Sequence, residues 1–522
     1  MKIIPKPNYV KRDSGFIDLK EYNFVNYFEN NNKFVKEIFD EFATFNANLP
    51  VNLQFLVDTS LKKEEYRLII AEDVKLYAST EIGAFYGLQS IKQLLIEYKT
   101  KLPKLEIMDS PRFGYRSFML DESRHFFGKE IVKEMLDLMA MLKLNRFHWH
   151  LTDDQGWRIE IKKYPLLTEK GSIRKSSQTA IAGQVLPLFN DGIEYGRGLF
   201  YTQDDLREVV AYAKERYIEI CPEVDMPGHL TAAISCYPNL SCFDENINVA
   251  KHFGIHKTIG CAGKQELYDF VYDVIDELSD IFPFEYFHIG GDEAPKDKWK
   301  KCENCQNTIK KEGLKDEQAL QGYFNNKVAT YLEKNEKNTI AWNEILKSGT
   351  VSDSTIVQYW TGDATKNGVN KWLEKGNKII ISKCTRLYMD YPYPMETIQK
   401  SYETDLENSG ICSKYEQQIL GFEAPLWSEY VSSKGKLEYQ VLPRLMSLAE
   451  INWTQKENKS YKEFEDNIVN LEGYLDSKNI KYAPIKSANP KGINKYTRIY
   501  ITSKSMLFSP DYEYKKYTKI SK

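Results

Sequence analysis

Residues 286–293 read YFHIGGDE, an apolar run that ends in two glycines and two adjacent acidic residues, Asp292 and Glu293. Such a run is typical of a buried strand, and Gly-Gly-Asp is common turn chemistry at a strand end. Because acidic residues are mostly exposed in folded proteins, a solvated loop would also explain the pair. The alternative is an acid pair that a rigid strand holds in place.

The same pattern recurs from residue 117 onward, where short apolar strands end in polar residues. Helical segments at 129–143, 203–215, 264–280 and 316–334 separate them, which is the signature of parallel βα units. The predicted strands are 117–121, 146–151, 218–225, 286–291, 339–344, 355–360, 378–382 and 419–424. Eight such units predict an α/β fold with a (β/α)8 TIM barrel over residues 112–483. A doubly wound open sheet is the alternative, but no glycine-rich phosphate loop follows any of these strands.

The flanking segments show other patterns. Residues 1–111 predict a small α+β domain, because VNLQFLVD and YRLIIAEDVKLYAS read as strands and EIGAFYGLQSIKQLLIEY has apolar residues at helical spacing. Pro111 and Gly114 mark the boundary to the barrel. Residues 484–522 form a C-terminal extension, in which TRIYIT is strand-like. This extension fits either the start of a further β module or a tail packed on the barrel.

The composition of the 522 residues, with 42% hydrophobic and 28% charged residues, is that of a soluble globular protein. The net charge of −3, with both signs interspersed, makes nucleic acid an unsuitable partner. No apolar run reaches the ~18 residues that a membrane span needs. The start MKIIPKPNYVKR lacks the apolar region of a signal peptide. We therefore expect a cytoplasmic protein, or a secreted one whose signal was removed; the sequence does not predict an oligomeric state.

Eight cysteines are scattered along the chain without the spacing of a disulfide framework. Cys302 and Cys305 form the single CxxC motif, CENC. Because a four-cysteine zinc site usually has a second such pair, the sequence argues against zinc there. No metal and no cofactor are expected.

Active sites of (β/α)8 barrels lie at the C-terminal ends of the strands. Acids and tryptophans without a serine or cysteine elbow favour sugar chemistry, since carboxylates can protonate a glycosidic oxygen and indole faces stack on sugar rings. Neighbouring strand residues point to opposite faces, so Asp292 and Glu293 cannot straddle a scissile bond unless the strand end bends. The adjacent pair therefore suggests two different tasks. The predicted strand ends carry Asp121, Glu122, Arg124, Asp153, Asp154, Glu223, Asp225, His229, Asp292, Glu293, Trp342, Glu344, Trp360, Trp427 and Glu429.

The chain resembles glycoside hydrolase family 20, the β-N-acetylhexosaminidases. The matching stretches occur in the family's order between residues 3 and about 480, and they include DSPRFGYRSFMLDESRHF, NRFHWHLTDDQGWRIEI, PEVDMPGH, HIGGDEAPKDKWKKC and LWSEYV. The resemblance implies an exo-acting, retaining hydrolase that removes terminal β-linked GlcNAc or GalNAc from a glycan or glycoconjugate. It also implies substrate-assisted catalysis, in which the substrate's acetamido oxygen attacks the anomeric carbon to form an oxazolinium ion.

The resemblance implies roles for individual residues. Glu293 would protonate the leaving oxygen, Asp292 would hold the acetamido N–H, and Tyr388 would donate to the acetamido carbonyl. The substrate-binding residues that it implies are Arg124 on the C3/C4 side, Glu429 at C4, Asp390 near C6, the walls Trp342, Trp360 and Trp427, and Asp153 and His229 behind the acid. A negative Asp390 would disfavour a 6-sulfated sugar.

Two departures from the family pattern leave fine specificity open, namely Asn343 beside Trp342 and Glu423 where glutamine is usual. Three alternatives remain. Disaccharide release, as in lacto-N-biosidases, is disfavoured because Arg124 and Glu429 would close the pocket around one sugar. A non-catalytic sugar-binding barrel would show no turnover. A metal hydrolase built on His148 and His150 would be sensitive to chelators, although packed histidines explain this pair more simply.

Overall fold

The N-terminal domain is a mixed sheet with one long helix against it. The computed structural model describes residues 2–178 and 194–491, and the predicted strand TRIYIT lies outside the described residues. The sheet has six strands in the order β1-β8-β6-β7-β5-β3, and β2 pairs with β4. The strands are β1 Tyr9–Asp18, β2 Glu21–Tyr22, β3 Phe24–Asn26, β4 Thr44–Phe45, β5 Leu53–Val57, β6 Tyr66–Ile70, β7 Val74–Ala78 and β8 Lys101–Asp109. The helices are α1 Asn32–Asp40 and α2 Glu81–Tyr98.

Helix α2 is buried on nearly every side because it lies between this sheet and the second domain. The Thr80 side chain accepts a hydrogen bond from the Gly83 amide (3.2 Å) and so caps the helix N-terminus. On the far side, the Gln93 amide donates to the backbone oxygens of Ile4 (2.6 Å) and Met141 (3.2 Å). The predicted helix is confirmed, and the strand-like stretch YRLIIAEDVKLYAS forms the antiparallel pair β6–β7.

The second domain is a closed parallel barrel in the strand order β10-β13-β14-β15-β16-β17-β18-β9, with β9 paired to β10. Its strands and the short β11–β12 ribbon are β9 Tyr115–Asp121, β10 Arg146–His150, β11 Thr152–Asp153, β12 Gly156–Trp157, β13 Glu219–Glu223, β14 Tyr286–His288, β15 Asn338–Trp342, β16 Ile356–Tyr359, β17 Ile379–Ile381 and β18 Ile419–Leu426. The remaining described α-helices are α3 Lys129–Met141, α4 Leu166–Glu169, α5 Gln203–Glu215, α6 Thr231–Cys236, α7 Gln265–Ile281, α8 Glu303–Lys311, α9 Glu317–Lys334, α10 Val369–Glu374, α11 Cys384–Leu387, α12 Ile398–Tyr402, α13 Lys434–Val441, α14 Arg444–Trp453, α15 Tyr461–Ser477 and α16 Ile485–Ala488.

The barrel strands are buried on both faces. All three residues of β17 are buried isoleucines, and every residue of β9 is buried. Such strands need cover on both sides, which the central packing and the outer helices provide. Each of the eight predicted strands overlaps an observed one, so the TIM barrel is confirmed. The open-sheet alternative is wrong because β18 pairs with β9.

The two domains meet across a buried polar contact. The Arg116 guanidinium on β9 donates to both carboxylate oxygens of Glu64 (2.9 and 3.2 Å) and to the Tyr86 hydroxyl (2.8 Å). Arg116 is fully buried. The contact therefore links the first barrel strand to the small domain and to α2.

No helix in the described ranges has both the length and the apolar character for a membrane crossing.

Candidate active site

The chain turns sharply after β14, and this turn brings the two adjacent acids to one place. Gly290, Gly291 and Glu293 all have positive φ, at +64°, +92° and +42°. His229 Nε2 lies 3.9 Å from Asp292 Oδ2 and 3.7 Å from Glu293 Oε2. The strand end therefore bends, and both carboxyl groups reach the same histidine at the barrel mouth.

Two acidic side chains hold this turn in place. Asp225 Oδ1 accepts a hydrogen bond from the Gly291 amide (3.0 Å), and a Cβ atom at Gly290 would lie 1.8 Å from the same oxygen. Glu344 Oε2 accepts from the Glu293 amide (2.6 Å). The sequence marked both acids as strand-end residues but did not include them among the site residues. Their roles depend on contacts between neighbouring strands, which spacing along the chain does not reveal.

Asp292 is the more enclosed member of the pair. Burial raises the pKa of Asp292 to about 7, His229 opposes the rise, and Glu293 adds to it. Asp292 Oδ1 is buried without a protein hydrogen-bond partner among the described residues. The side chain of Glu293 is 30% exposed. Asp292 thus has a buried acceptor oxygen without a partner, whereas solvent reaches the carboxyl group of Glu293.

His229 connects the acid pair to a second acidic group. Its Nδ1 lies 3.2 Å from Asp153 Oδ1 and 3.1 Å from Asp154 Oδ2. Burial alone would lower the pKa of His229, but the Asp153 charge and hydrogen bonds to both aspartates raise it well above its usual value. The imidazolium therefore faces Asp292 and Glu293 as a positive charge. Asp154 was marked at a strand end but was not among the predicted site residues.

Arg124 contacts the same Asp153 that lies beside His229. Its guanidinium lies 2.6 Å from Asp153 Oδ2, 3.2 Å from Asp121 Oδ2 and 3.9 Å from Glu429 Oε1. The guanidinium carbon also lies 5.1 Å from the ring centre of Trp427. Burial raises the pKa of Glu429, and the Arg124 charge opposes this rise. The predicted residues Arg124, Asp153, Trp427 and Glu429 thus lie together.

Aromatic side chains form a wall beside these groups. The ring centres of Trp342 and Trp427 are 6.0 Å apart, and Tyr388 lies 6.2 Å from Trp427. Trp360 stacks on Tyr388 at 6.1 Å with an interplanar angle of 15°. Asn343 Oδ1 accepts from the Trp360 amide (3.0 Å), so this departure from the family pattern positions a wall residue. The Trp360 ring N–H is buried without a partner among the described residues.

Asp390 differs in charge from the sequence-based expectation. Burial raises the pKa of Asp390 to about 8, and the nearby Glu429 carboxylate adds to the rise. The carboxyl group is therefore mostly neutral at pH 7. The expected repulsion of a 6-sulfated sugar assumed a negative charge, so it applies fully only above pH 8.

A buried ionic network lies under the mouth. Glu223 Oε2 contacts His150 and His148 (3.1 Å). Its Oε1 contacts His288 (2.8 Å) and accepts from the Trp342 ring N–H (3.0 Å). His148 Nδ1 also lies 2.8 Å from Glu423 Oε1. The three histidines and the two glutamates of this network are all 0% exposed. The rings of His288 and His148 lie 4.9 and 6.1 Å from Trp342, and the ring of His150 lies 5.0 Å from Trp427. Glu423 is thus a second carboxylate in contact with His148.

Comparison with known proteins agrees with this architecture. The family model described as "Glycosyl hydrolase family 20, catalytic domain" matches residues 113–456, and "Glycosyl hydrolase family 20, domain 2" matches residues 1–110. The chain belongs to glycosyl hydrolase family 20. The resemblance noted in the sequence is confirmed, and the small N-terminal domain is the domain 2 of this family.

Similar proteins include two β-hexosaminidases and a solved GH20 structure. The chain is 38% identical over 449 residues to a Beta-hexosaminidase of Porphyromonas gingivalis, which covers 82% of this chain and 56% of that protein. It is 33% identical over 441 residues to a Beta-hexosaminidase of Akkermansia muciniphila. This match covers 81% of this chain and 86% of that protein. Among solved structures, a Vibrio harveyi GH20 exo β-N-acetylglucosaminidase in complex with N-acetylglucosamine superposes with a TM-score of 0.80 and 28% identity. The superposition covers 92% of this chain and 78% of that chain. The chain thus spans little more than half of the P. gingivalis relative.

Proposed function

We propose that this family 20 chain is an exo-acting, retaining β-N-acetylhexosaminidase that removes terminal β-linked GlcNAc or GalNAc from glycans and glycoconjugates. The observation that carries the proposal is that Asp292 and Glu293 both reach His229 at a barrel mouth with an aromatic wall. An ordinary retaining pair is ~5 Å apart on either side of the scissile bond. Two neighbours that face one histidine suit a substrate that brings its own nucleophile.

The two acids would serve different parts of the substrate. Glu293, which solvent reaches, would donate its proton to the leaving oxygen as the glycosidic bond breaks. The acetamido oxygen would form the new bond to the anomeric carbon. Glu293 would then take a proton from the water that opens the oxazolinium ring, and this step restores the acid and retains the configuration.

Asp292 would bind the acetamido N–H through its buried, unpartnered oxygen. In its ionised form it would offset the positive charge that develops on the oxazolinium ring. Its pKa of about 7 means that the free enzyme holds a mixture of protonated and ionised Asp292 at neutral pH. The neighbouring imidazolium of His229 favours the ionised form.

Exo action is supported by the Arg124–Glu429 pair. Arg124 and Glu429 lie 3.9 Å apart, and together they offer donors and acceptors to the hydroxyls of one terminal sugar. Asp121 and Asp153 fix the guanidinium, so this end of the pocket is preorganised. This arrangement favours removal of a single sugar over release of a disaccharide.

The test compares kcat/KM for aryl β-GlcNAc, aryl β-GalNAc, aryl β-glucoside and an aryl disaccharide substrate. We expect turnover of the N-acetylated monosaccharides, none of the glucoside, and tight inhibition by a thiazoline analogue of the oxazoline. Equal rates on the glucoside would contradict acetamido participation. Faster release of the disaccharide would contradict exo action on one sugar, and no turnover of any substrate would favour the non-catalytic barrel.

A further inference from the structure

Four buried cysteines from three separate parts of the chain converge beside the barrel mouth. Cys261 Sγ lies 3.7 Å from Cys302 Sγ and 3.5 Å from Cys305 Sγ, and Cys242 Sγ lies 3.9 Å from Cys305 Sγ. All four sulfur atoms lie within 4.8 Å of one another. Cys302 precedes α8 and Cys305 lies in its first turn, so the CENC motif presents both sulfurs from a helix start.

The sequence argument against zinc at CENC depended on the missing second motif. The structure supplies the other two sulfurs from Cys242 and Cys261, which lie at the two ends of the segment 243–260. The ends meet because Ser241 pairs with Gly260 and the Cys261 amide donates to the Leu240 carbonyl (2.8 Å). Spacing alone missed this pair because the fold, and not a short motif, joins it.

The distances between the sulfurs match a tetrahedral metal site. Zinc–thiolate bonds of about 2.3 Å in a regular tetrahedron place the sulfurs about 3.8 Å apart. Three of the six sulfur separations, 3.5, 3.7 and 3.9 Å, lie around this value, and the other three are no more than 4.8 Å. Cys261 is close to two other sulfurs at once, so the group does not divide into isolated pairs. Exposure of no more than 7% at any of the four leaves no open position for a substrate.

We propose that Cys242, Cys261, Cys302 and Cys305 bind one Zn²⁺ ion in a closed structural site. The thiols would lose their protons as they bind, and the four thiolates with Zn²⁺ would carry a net charge of −2. The surroundings suit this charge. The Lys264 ammonium donates to the backbone oxygen of Ser241 (2.8 Å) next to the cluster and also contacts Asp244 (2.5 Å). Cys302 is the N-cap residue of the nine-residue helix α8, whose dipole favours a thiolate at that end.

The zinc would join the loop after β14, which carries the catalytic acids, to segment 243–260. These two parts already touch, since the Trp299 ring N–H donates to the Gly260 carbonyl (3.0 Å) and the Lys298 ammonium to Thr258 Oγ1 (2.6 Å). Segment 243–260 in turn contacts the part of the mouth around Arg124, because the Gln155 amide donates to the His252 carbonyl (2.7 Å). Gln155 accepts from Arg124 Nε (2.8 Å). The zinc would therefore hold the base of loops that line the mouth.

The test measures the metal content of the purified full chain by elemental analysis and native mass spectrometry. We expect about one zinc per chain, and cobalt in its place should give the visible absorption of a tetrahedral tetrathiolate. Exhaustive chelation should lower the midpoint of thermal unfolding. This measurement on the unmodified protein does not depend on whether any variant folds.

Cysteine variants assign the site. Cys302→Ser and Cys305→Ser should each lose most of the zinc, while Cys384→Ser and Cys412→Ser, which lie outside the cluster, should keep it. Iron in place of zinc, a mass that shows two disulfides among the four cysteines, or four free thiols without metal would each overturn the proposal. Full zinc content in both cluster variants would also overturn it. None of these results depends on the identity of the glycan substrate.

Discussion

At the scale of single residues, the backbone of Glu293 is the most informative feature of the site. A non-glycine residue in the left-handed region costs about 1–2 kcal/mol, and Glu293 has φ +42°. The hydrogen bond from its amide to Glu344 and the Asp225 contact to Gly291 hold the chain in this conformation. Backbone strain of this kind is common at functional sites, where surrounding contacts maintain it. Here its effect is to turn Glu293 toward the same side as its neighbour Asp292.

The role of Glu293 predicts a dependence on the leaving group. For Glu293→Gln, kcat/KM on an aryl β-GlcNAc with a poor leaving group should fall by about 10²–10⁴-fold, because protonation of the departing oxygen is lost. With a strongly acidic phenol as leaving group the fall should be much smaller, since departure then needs little protonation. Glu285→Gln, at the opposite end of the same strand, should leave both rates unchanged. Equal losses on the two substrates would contradict the assignment.

The raised pKa of Asp390 predicts a change in selectivity with pH. Its carboxyl group is neutral below a pH of about 8 and negative above it. The ratio of kcat/KM for a 6-sulfated aryl GlcNAc to that for the neutral substrate should therefore fall as the pH rises through about 8. The Asp390→Asn variant, which has no charge to gain, should show a flat ratio. A ratio that is equally pH-dependent in the variant would contradict this role of Asp390.

At the scale of an element, strand β14 and its turn show how a short segment is adapted to position a site. Gly290→Ala would combine an unfavourable positive φ with a Cβ atom 1.8 Å from Asp225 Oδ1. We expect a loss of well over 1–2 kcal/mol in the free energy of unfolding, together with a fall of about 10²-fold in kcat/KM as the acids are displaced.

Gly313→Ala is a matched control, because Gly313 has φ +63° and open space around it. It should lose about 1–2 kcal/mol and keep full activity. Similar activity losses in both variants would contradict the argument, and urea unfolding with initial rates measures both quantities.

At the scale of the whole molecule, the small domain is attached to the barrel through charge as well as packing. Glu64→Gln would leave the buried Arg116 guanidinium without its carboxylate and should destabilise the protein by about 3 kcal/mol. Glu72→Gln is the control, because it removes an ion pair with Lys104 in which the Glu72 side chain is 88% exposed. It should lower the free energy of unfolding by less than about 1 kcal/mol. Both variants should keep wild-type kcat/KM below their unfolding temperatures. A Glu64→Gln effect no larger than the control would show that this ion pair does not hold the domains together.

The same contact makes stability depend on pH. Burial would raise the pKa of Glu64, but the Arg116 charge lowers it below its ordinary value. A carboxyl group whose pKa is lowered in the folded state stabilises the fold above its unfolded pKa and loses this effect as the pH falls through the folded pKa. The stability difference between wild type and Glu64→Gln should therefore shrink in acid. A difference that stays constant down to pH 2 would contradict this origin.

The sequence by itself determined the elements and many residues of the candidate site. Strand and helix periodicity depends on local spacing, so the eight barrel strands, helix α2 and the strand-end acids were predictable. The motifs around Asp292, Glu293, Arg124 and Trp427 then indicated the family. Local patterns carry this information because burial selects apolar residues at the period of each element.

Only the tertiary structure decided which distant residues meet and what charge they carry. It turned Asp292 and Glu293 toward His229, placed Asp225 and Glu344 behind them, and made Asp390 largely neutral at pH 7. It also joined the four cysteines into one cluster. These outcomes depend on loop closure and on burial in a low-dielectric interior, which arise from contacts between separate parts of the chain.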